Sequence, residues 1–169
     1  MAKDMDQYTA ERGLVEKDDP EVDKPLFRKV GFCGADGIPS MDEMEKRIAA
    51  FLRKKREEAG LTRADIAPLL GLSTQVYGRY ERAFSKMHVT RMIHVCEILG
   101  LMPMEIIFNA SPSLWGGTMD EAQDRLDLAM LVCTLPSKTT KDLKAMVEHL
   151  AEVDHSRAAI KQTKEGESR

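Results

Sequence analysis

The sequence has few of the features that mark secreted, membrane-spanning or metal-binding proteins. No apolar run in the 169 residues approaches 18, and the N-terminal stretch MAKDMDQYTAERG lacks the apolar core of a signal peptide. The three cysteines form no CxxC pair, so neither a disulfide framework nor a zinc site is indicated. The four histidines share no ligand spacing. We therefore expect a cytoplasmic protein that holds no metal and no other cofactor.

Catalytic signatures are also lacking. The sequence shows no pocket-forming carboxylate pair, no nucleophile elbow and no metal motif, so we expect the chain not to be an enzyme. Aromatic residues make up only 5%, and most apolar mass comes from Leu, Ile, Met and Ala. This balance favours helices over strands and predicts an all-α fold.

Charge is spread unevenly along the chain. The net charge is −3 overall, with −3 in residues 1–40, +2 in residues 41–108 and −2 in residues 109–169. Residues 1–40 are polar, acidic and proline-bearing, which predicts a flexible arm. The positive middle segment permits a nucleic-acid-binding face on an otherwise acidic molecule.

Helical periodicity begins at Met41 and predicts five short helices by residue 108. The second starts at the capping pattern Thr62-x-x-Asp65 and ends at Gly71. The third starts after Ser73, with Val76, Tyr77 and Tyr80 predicted to face inward. A helix, a short glycine-containing turn and a second helix are the layout of a helix-turn-helix.

These residues resemble the XRE family, the Cro/repressor type of helix-turn-helix. The resemblance covers residues 47–108 without a gap and rests on the segments Leu52-Arg53-x-x-Arg56, Gly60-Leu61-Thr62, Ile66-Ala67, Gly71-Leu72-Ser73, Arg79-Tyr80-Glu81 and Ile98-Leu99-Gly100. It implies a five-helix lambda-repressor-like DNA-binding domain over residues 41–108.

The resemblance also implies functional positions. Bases would be read by Ser73, Thr74, Gln75, Gly78 and Arg79. Phosphates would be held by Arg63, Arg82 and Lys86. A structural ion pair would join Arg56 and Glu81. The side chains agree, since Gln75 can pair bidentately with adenine and Arg79 with guanine.

Four residues depart from the family pattern. Tyr77 is bulkier than the usual Ile or Val. Pro68 lies inside the second helix and should kink or shorten it. Ala83 and Met87 stand where Gly and Pro are common, which predicts that the loop 83–89 begins as extra helix.

The remaining residues predict a separate module. Residues 109–118 read as a linker, residues 119–156 as a helical hairpin with one apolar stripe on each helix, and residues 157–169 as a polar tail. The stripes must pack on the same chain's DNA-binding domain or on a second copy, and we favour a homodimer. We therefore expect a sequence-specific DNA-binding regulator, a repressor on a pseudo-palindromic operator. The alternative is an antitoxin or antiactivator that acts mainly through a protein partner, with DNA binding secondary.

Overall fold

The computed structural model describes residues 4–34 and 37–166, with side chains described as far as residue 153. The elements in chain order are α1 (Met5–Glu11), β1 (Leu14–Asp19), β2 (Val22–Lys29), α2 (Met41–Glu58), α3 (Arg63–Leu69), α4 (Thr74–Tyr80), α5 (Val89–Leu99), α6 (Pro103–Ala110), a single 3-10 turn (Pro112–Leu114), α7 (Met119–Thr134) and α8 (Ser137–Gly166). The predicted all-α class is confirmed in outline, because one small sheet is added to a mainly helical chain.

The N-terminal segment differs from the flexible arm that its composition predicts. Strands β1 and β2 pair antiparallel, with Leu14 opposite Lys29 and Lys17 opposite Leu26, and the register shifts between Lys17 and Asp19. The apolar residues are too few for the composition to indicate order. In the structure, the segment is held in place by a turn at the tip of the hairpin and by a contact that this tip makes with another part of the chain.

That docking contact is made by Asp19, which is buried despite its charge. One carboxylate oxygen of Asp19 accepts from the backbone N–H of Glu21 at 3.1 Å, and the other accepts from Met41 N–H at 2.8 Å. Because Met41 begins α2, the carboxylate lies at the positive end of that helix. The bond from Met41 is the main cause that lowers the pKa of Asp19. The hairpin is thus fixed to the start of the predicted DNA-binding domain.

The core of that domain is formed by buried residues from α2 to α6. They are Leu52, Ile66, Ala67, Leu70, Tyr77, Val95, Cys96 and Ile106. Ala67 is fully buried between neighbouring helices, and Cys96 is also a core residue. Pro68 is tolerated near the end of the seven-residue α3, where few backbone bonds remain for it to break.

The predicted linker, residues 109–118, is packed onto the domain. Ala110 and Ser111 are buried, and the ring of Trp115 meets Phe108 edge-on at a centroid distance of 6.0 Å. The carbonyl of Trp115 accepts from Arg125 Nη1 at 2.7 Å, which ties the segment to α7. These contacts hold residues 109–118 against the end of α6 and the first half of α7.

The chain divides into two compact units between Asp127 and Leu128, inside α7 rather than at residue 118. Ala122 and Leu126, in the first half of α7, are buried in the first unit. In the second unit, Pro136 lies between the end of α7 and the start of α8, the two helices of the predicted hairpin. Helix α8 continues to Gly166 through most of the predicted polar tail, whose last residues, 167–169, lie outside the described part of the chain.

Among the described residues, no single helix is long and apolar enough to cross a membrane. Helices α5 and α6 pass that test of length and composition only as a pair, and they are bent by 118° at the loop between them.

Candidate nucleic-acid interface

Helices α3 and α4 begin at side-chain caps that the sequence predicts. The Thr62 hydroxyl accepts from Asp65 N–H, and the Asp65 carboxylate accepts from Thr62 N–H at 2.8 Å. The Ser73 hydroxyl accepts from Val76 N–H at 3.3 Å. Between the helices, Gly71 has a φ of +65°, where a side chain would be strained. The turn is thus set by short-range chemistry that can be read from the sequence.

A buried carboxylate, Glu81, fixes the end of α4. Its oxygens accept from Arg56 Nε at 2.5 Å, from Arg56 Nη2 at 3.1 Å and from Arg63 Nε at 2.6 Å. Arg56 also donates to the carbonyl of Leu61 at 2.5 Å. The structure therefore contains the ion pair that the resemblance implies and adds Arg63 as a third member.

The network explains two perturbed pKa values. Burial alone would raise the pKa of Glu81, but the hydrogen bonds from Arg56 and Arg63 outweigh it and hold that pKa below its usual value. Burial, followed by the negative charge of Glu81, raises the pKa of the Tyr77 hydroxyl far above its usual value. That hydroxyl has no hydrogen bond of acceptable geometry to any described residue.

The outward face of α4 carries four exposed residues, Thr74, Gln75, Val76 and Arg79. Among the described residues, none provides a side-chain hydrogen bond or ion pair to Thr74, Gln75 or Arg79. Three of the predicted base-reading side chains thus lie exposed on one helix and make no side-chain hydrogen bond or ion pair with a described residue. Ser73, the fourth, is exposed but its oxygen already caps the helix.

Val76 was predicted to face inward, and this is wrong because 40% of its surface is exposed. Tyr77, one residue later, fills the inward position. An apolar side chain on the outward face of a recognition helix can contact the methyl group of thymine. The sequence offered one signal for this: a seven-residue helix has room for few inward residues, and the larger Tyr77 and Tyr80 occupy that side.

Gly78 does not lie open on that face. It is buried, because Arg82 and Arg63 cover it. A Cβ built on Gly78 would lie 3.1 Å from Arg82 Nη1 and 3.7 Å from Arg63 Cδ. The predicted reading position at residue 78 is therefore occupied by the side chains of other residues.

The loop after α4 does not begin as extra helix, contrary to the prediction. Ala83 adopts a φ of +56°, and its neighbour Phe84 donates its N–H to the carbonyl of Arg79 at 2.9 Å. Ala83 thus takes the left-handed conformation for which the family uses Gly, and the helix ends in the same way. In that loop Lys86 forms an ion pair with Glu21 of the N-terminal hairpin.

The predicted phosphate contacts therefore differ in availability. Arg63 has its Nε on Glu81 and its side chain one-third exposed, Arg82 is exposed beside Gly78, and Lys86 is exposed but paired. No group of three or more His, Cys, Asp or Glu side chains placed to hold a metal occurs in the described part of the chain. The arrangement offers guanidinium, amide, hydroxyl and methyl groups on one helix face, which is the chemistry that reads a major groove.

Residues 47–106 match a family described as "Helix-turn-helix domain". The match begins in α2 and ends in α6, so it includes both helices of the candidate interface. No curated protein sequence matches the chain significantly.

Several solved structures align with part of the chain. The clp gene regulator ClgR from C. glutamicum shares 23% identity over 41% of this chain and 91% of its own, with a TM-score of 0.39. The restriction-modification controller protein C.AhdI from Aeromonas hydrophila shares 24% over 37% of this chain and 94% of its own, with a TM-score of 0.35. An HTH_3 family transcriptional regulator from Vibrio cholerae shares 26% over 44% and 42%, with a TM-score of 0.39.

Proposed function

We propose that the chain is a sequence-specific repressor that binds a pseudo-palindromic operator as a homodimer. The match of residues 47–106 to a helix-turn-helix domain supports the DNA-binding part of this proposal. In this proposal the chain acts by binding rather than by catalysis. The observation that carries it is the outward face of α4, where Thr74, Gln75 and Arg79 stand exposed and uncommitted on a helix fixed from behind by Glu81.

Arg79 and Gln75 are the proposed base readers. A guanidinium donates two parallel hydrogen bonds to guanine, and an amide pairs in the same way with adenine. Thr74 and Val76 add contacts to a base edge or a thymine methyl group. Because Glu81 and its two arginines hold the end of α4, these side chains project from a rigid helix, which reduces the entropy lost on binding.

Phosphate contacts are assigned to Arg63 at the start of α3. Its Nε is held by Glu81, and its two terminal nitrogens have no hydrogen-bond partner among the described residues. A guanidinium fixed in this way is oriented before DNA arrives. Binding through such groups should weaken as salt rises, since each phosphate neutralised releases counterions.

The test is substitution of Arg79 by Ala, measured on the best site enriched from a random DNA library. We expect a loss of about 1–3 kcal/mol on the enriched site and a relaxed preference at one base pair of each half-site. Arg12→Ala removes the same charge from the end of α1 and serves as the matched control. Equal weakening of Arg79→Ala on enriched and random DNA would overturn base reading by Arg79.

The homodimer is supported by exposed apolar side chains in the second unit. Leu128 and Leu131 of α7 are exposed, as are three residues of α8, Met146, Val147 and Leu150. The three in α8 lie at i, i+1 and i+4, so they share one face. Soluble proteins seldom leave such a face uncovered, and a second copy of the chain supplies an identical one.

Substitutions at this face test the dimer without disturbing the core. Leu131 and Leu150 are 61% and 60% exposed, so their replacement by Glu should leave the monomer folded. We expect the double variant Leu131→Glu/Leu150→Glu to sediment as a monomer and the wild type as a dimer. Thr139→Glu adds one negative charge at another exposed residue of α8 and should remain dimeric, whereas Leu150→Glu alone, with the same added charge, should weaken the dimer. A fully dimeric double variant would contradict the proposal.

The N-terminal hairpin favours the second candidate function, an antitoxin or antiactivator that binds a protein partner. It is ordered rather than flexible, and Val22 and Phe27 of β2 are 41% and 53% exposed. Purification from the native host discriminates between the two functions. A stoichiometric second polypeptide that is lost on Phe27→Ser would favour the partner reading.

A further inference from the structure

One position on the reading face of α4 has no side chain of its own. Gln75 and Gly78 are spaced i and i+3 and lie on one stripe of α4, and Arg82 follows in the turn after the helix. Arg82 extends back along this stripe toward the N-terminus of α4. Its Nη1 and Nη2 lie 3.1 and 3.6 Å from the point where a Cβ of residue 78 would stand. The guanidinium of Arg82 thus fills the place of the missing side chain.

Two further features hold Arg82 there. Its guanidinium carbon lies 5.4 Å from the centre of the Phe84 ring, within range of a cation–π interaction. Phe84 reaches that place because Ala83 turns the chain with its φ of +56°. Phe84 is itself 71% exposed, so its ring packs on Arg82 rather than in the core.

The charge of Arg82 is not neutralised by the network below it. Both oxygens of Glu81, the adjacent acid, are taken by Arg56 and Arg63. No ion pair or hydrogen bond joins Arg82 to an acid within residues 4–34 and 37–153. The planar donor fork of Arg82 is therefore oriented by Gly78 and Phe84 and left free to bind an acceptor.

We propose that Arg82, whose guanidinium lies over Gly78, reads a base pair in place of residue 78. Gly78 then sets DNA specificity through a side chain four residues away. The acceptor is a guanine edge, whose two acceptors match the fork of a guanidinium. This inference rests on the proposed function, and it replaces the phosphate contact that the sequence assigned to Arg82. A phosphate contact would require only that the charged Arg82 lies near the DNA backbone. It would not require the guanidinium to lie over Gly78.

The experiment is a double-mutant cycle on the site that the wild type enriches from a random DNA library. We expect Arg82→Ala to weaken binding to that site by roughly 5- to 100-fold, with a smaller effect on random DNA. Gly78→Leu fills the space that the Arg82 guanidinium occupies and should weaken binding to that site by a similar factor. In the Arg82→Ala background, Gly78→Leu should produce no further loss, because the group that it displaces is already absent.

The controls separate folding from recognition. The side chain of Leu also meets Arg63, whose Cδ lies 3.7 Å from the Cβ position, so Gly78→Ala, which adds only the Cβ, is the stability-matched variant. Gly78→Ala should unfold at no lower temperature than the wild type, since Ala is the better helix former, and it should change binding in the same direction as Gly78→Leu by less. Arg12→Ala removes a guanidinium that also stacks on an aromatic ring, that of Tyr8 at 4.1 Å, and should leave binding unchanged.

Three outcomes would overturn the inference while leaving the proposed function intact. Arg82→Ala could weaken enriched and random DNA equally, Gly78→Leu could keep the wild-type base preference, or the two losses could multiply in the double variant. A wild type that enriches no motif at all would overturn the proposed function and this inference with it.

Discussion

Replacing Glu81 by Gln should destabilise the protein strongly, although the two side chains have nearly the same size. The side chain of Glu81 is fully buried, and that of Arg56 is 7% exposed. Gln keeps one carbonyl oxygen but loses the negative charge. A guanidinium is then left in the interior without its counter-ion, and breaking a buried pair in this way costs about 3–5 kcal/mol.

Two contacts place the expected loss at the lower end of that range, at about 3 kcal/mol. Arg56 still donates to the carbonyl of Leu61 at 2.5 Å and to Glu57 at 3.2 Å, so its charge is not wholly unpartnered. Arg63 has a side chain that is 33% exposed and can turn to water. Arg63 therefore adds little to the loss.

The measurement is urea unfolding followed by circular dichroism, with the wild type and Glu81→Gln compared at pH 7. A loss below about 1 kcal/mol would refute the reasoning, because that is the range of an exposed ion pair. If Glu81→Gln does not fold, the double variant Arg56→Met/Glu81→Leu provides the second test. Removing both charges together should recover most of the stability, since no buried charge remains unpaired.

The pH dependence of the stability difference between the wild type and Glu81→Gln provides an independent check, because its direction is fixed by the lowered pKa of Glu81. Because the folded protein holds the pKa of Glu81 below its usual 4.5, the carboxylate stabilises the fold above pH 4.5, and this contribution disappears as pH falls through the lowered pKa. The difference in unfolding free energy between the wild type and Glu81→Gln should therefore be constant from pH 7 to about 5 and shrink in more acidic solution. A difference that grows below pH 4.5 would show that the ion pair is not its cause.

Three other substitutions probe neighbouring features. Tyr77→Phe removes a buried hydroxyl that interacts with Glu81 but makes no hydrogen bond of good geometry to a described residue, so unfolding should show a stability within about 1 kcal/mol of the wild type. Ala83→Gly relieves a φ of +56° and should raise the unfolding free energy by about 1 kcal/mol, which a loss of stability would contradict. Glu21→Gln frees Lys86, so binding to random DNA should tighten and its salt dependence should steepen by about one ion, whereas Glu16→Gln on the same hairpin should change neither.

The central domain was predictable because its signals are local and mutually consistent. Thr62 with Asp65 marks the start of α3, Gly71 marks the turn, and Ser73 marks the start of α4, all within a few residues of one another. Apolar periodicity then assigned the inner face, with Tyr77 buried as expected. Each of these features depends on neighbours along the chain, so the sequence contains the information directly.

The features that the sequence did not reveal depend on contacts between distant residues. Asp19 reaches Met41 across 22 positions, and Glu21 reaches Lys86 across 65. Composition describes residues 1–40 as acidic and poorly apolar, and it carries no information about a partner elsewhere. The cover over Gly78 was missed for a different reason, because a helical projection places a glycine on a face but does not show which long side chain fills the gap.

Two acidic residues of the N-terminal hairpin therefore interact directly with the helix-turn-helix domain. Its tip holds the start of α2 through Asp19, and the next acid, Glu21, takes the lysine that the loop after α4 would offer to a phosphate. An acidic group beside a DNA-binding face lowers affinity for every DNA sequence alike, whereas base contacts distinguish one sequence from another. Under the proposed function, holding Lys86 back would leave a larger share of the binding free energy to the base contacts of α4, so the Lys86–Glu21 pair would favour specificity over general affinity.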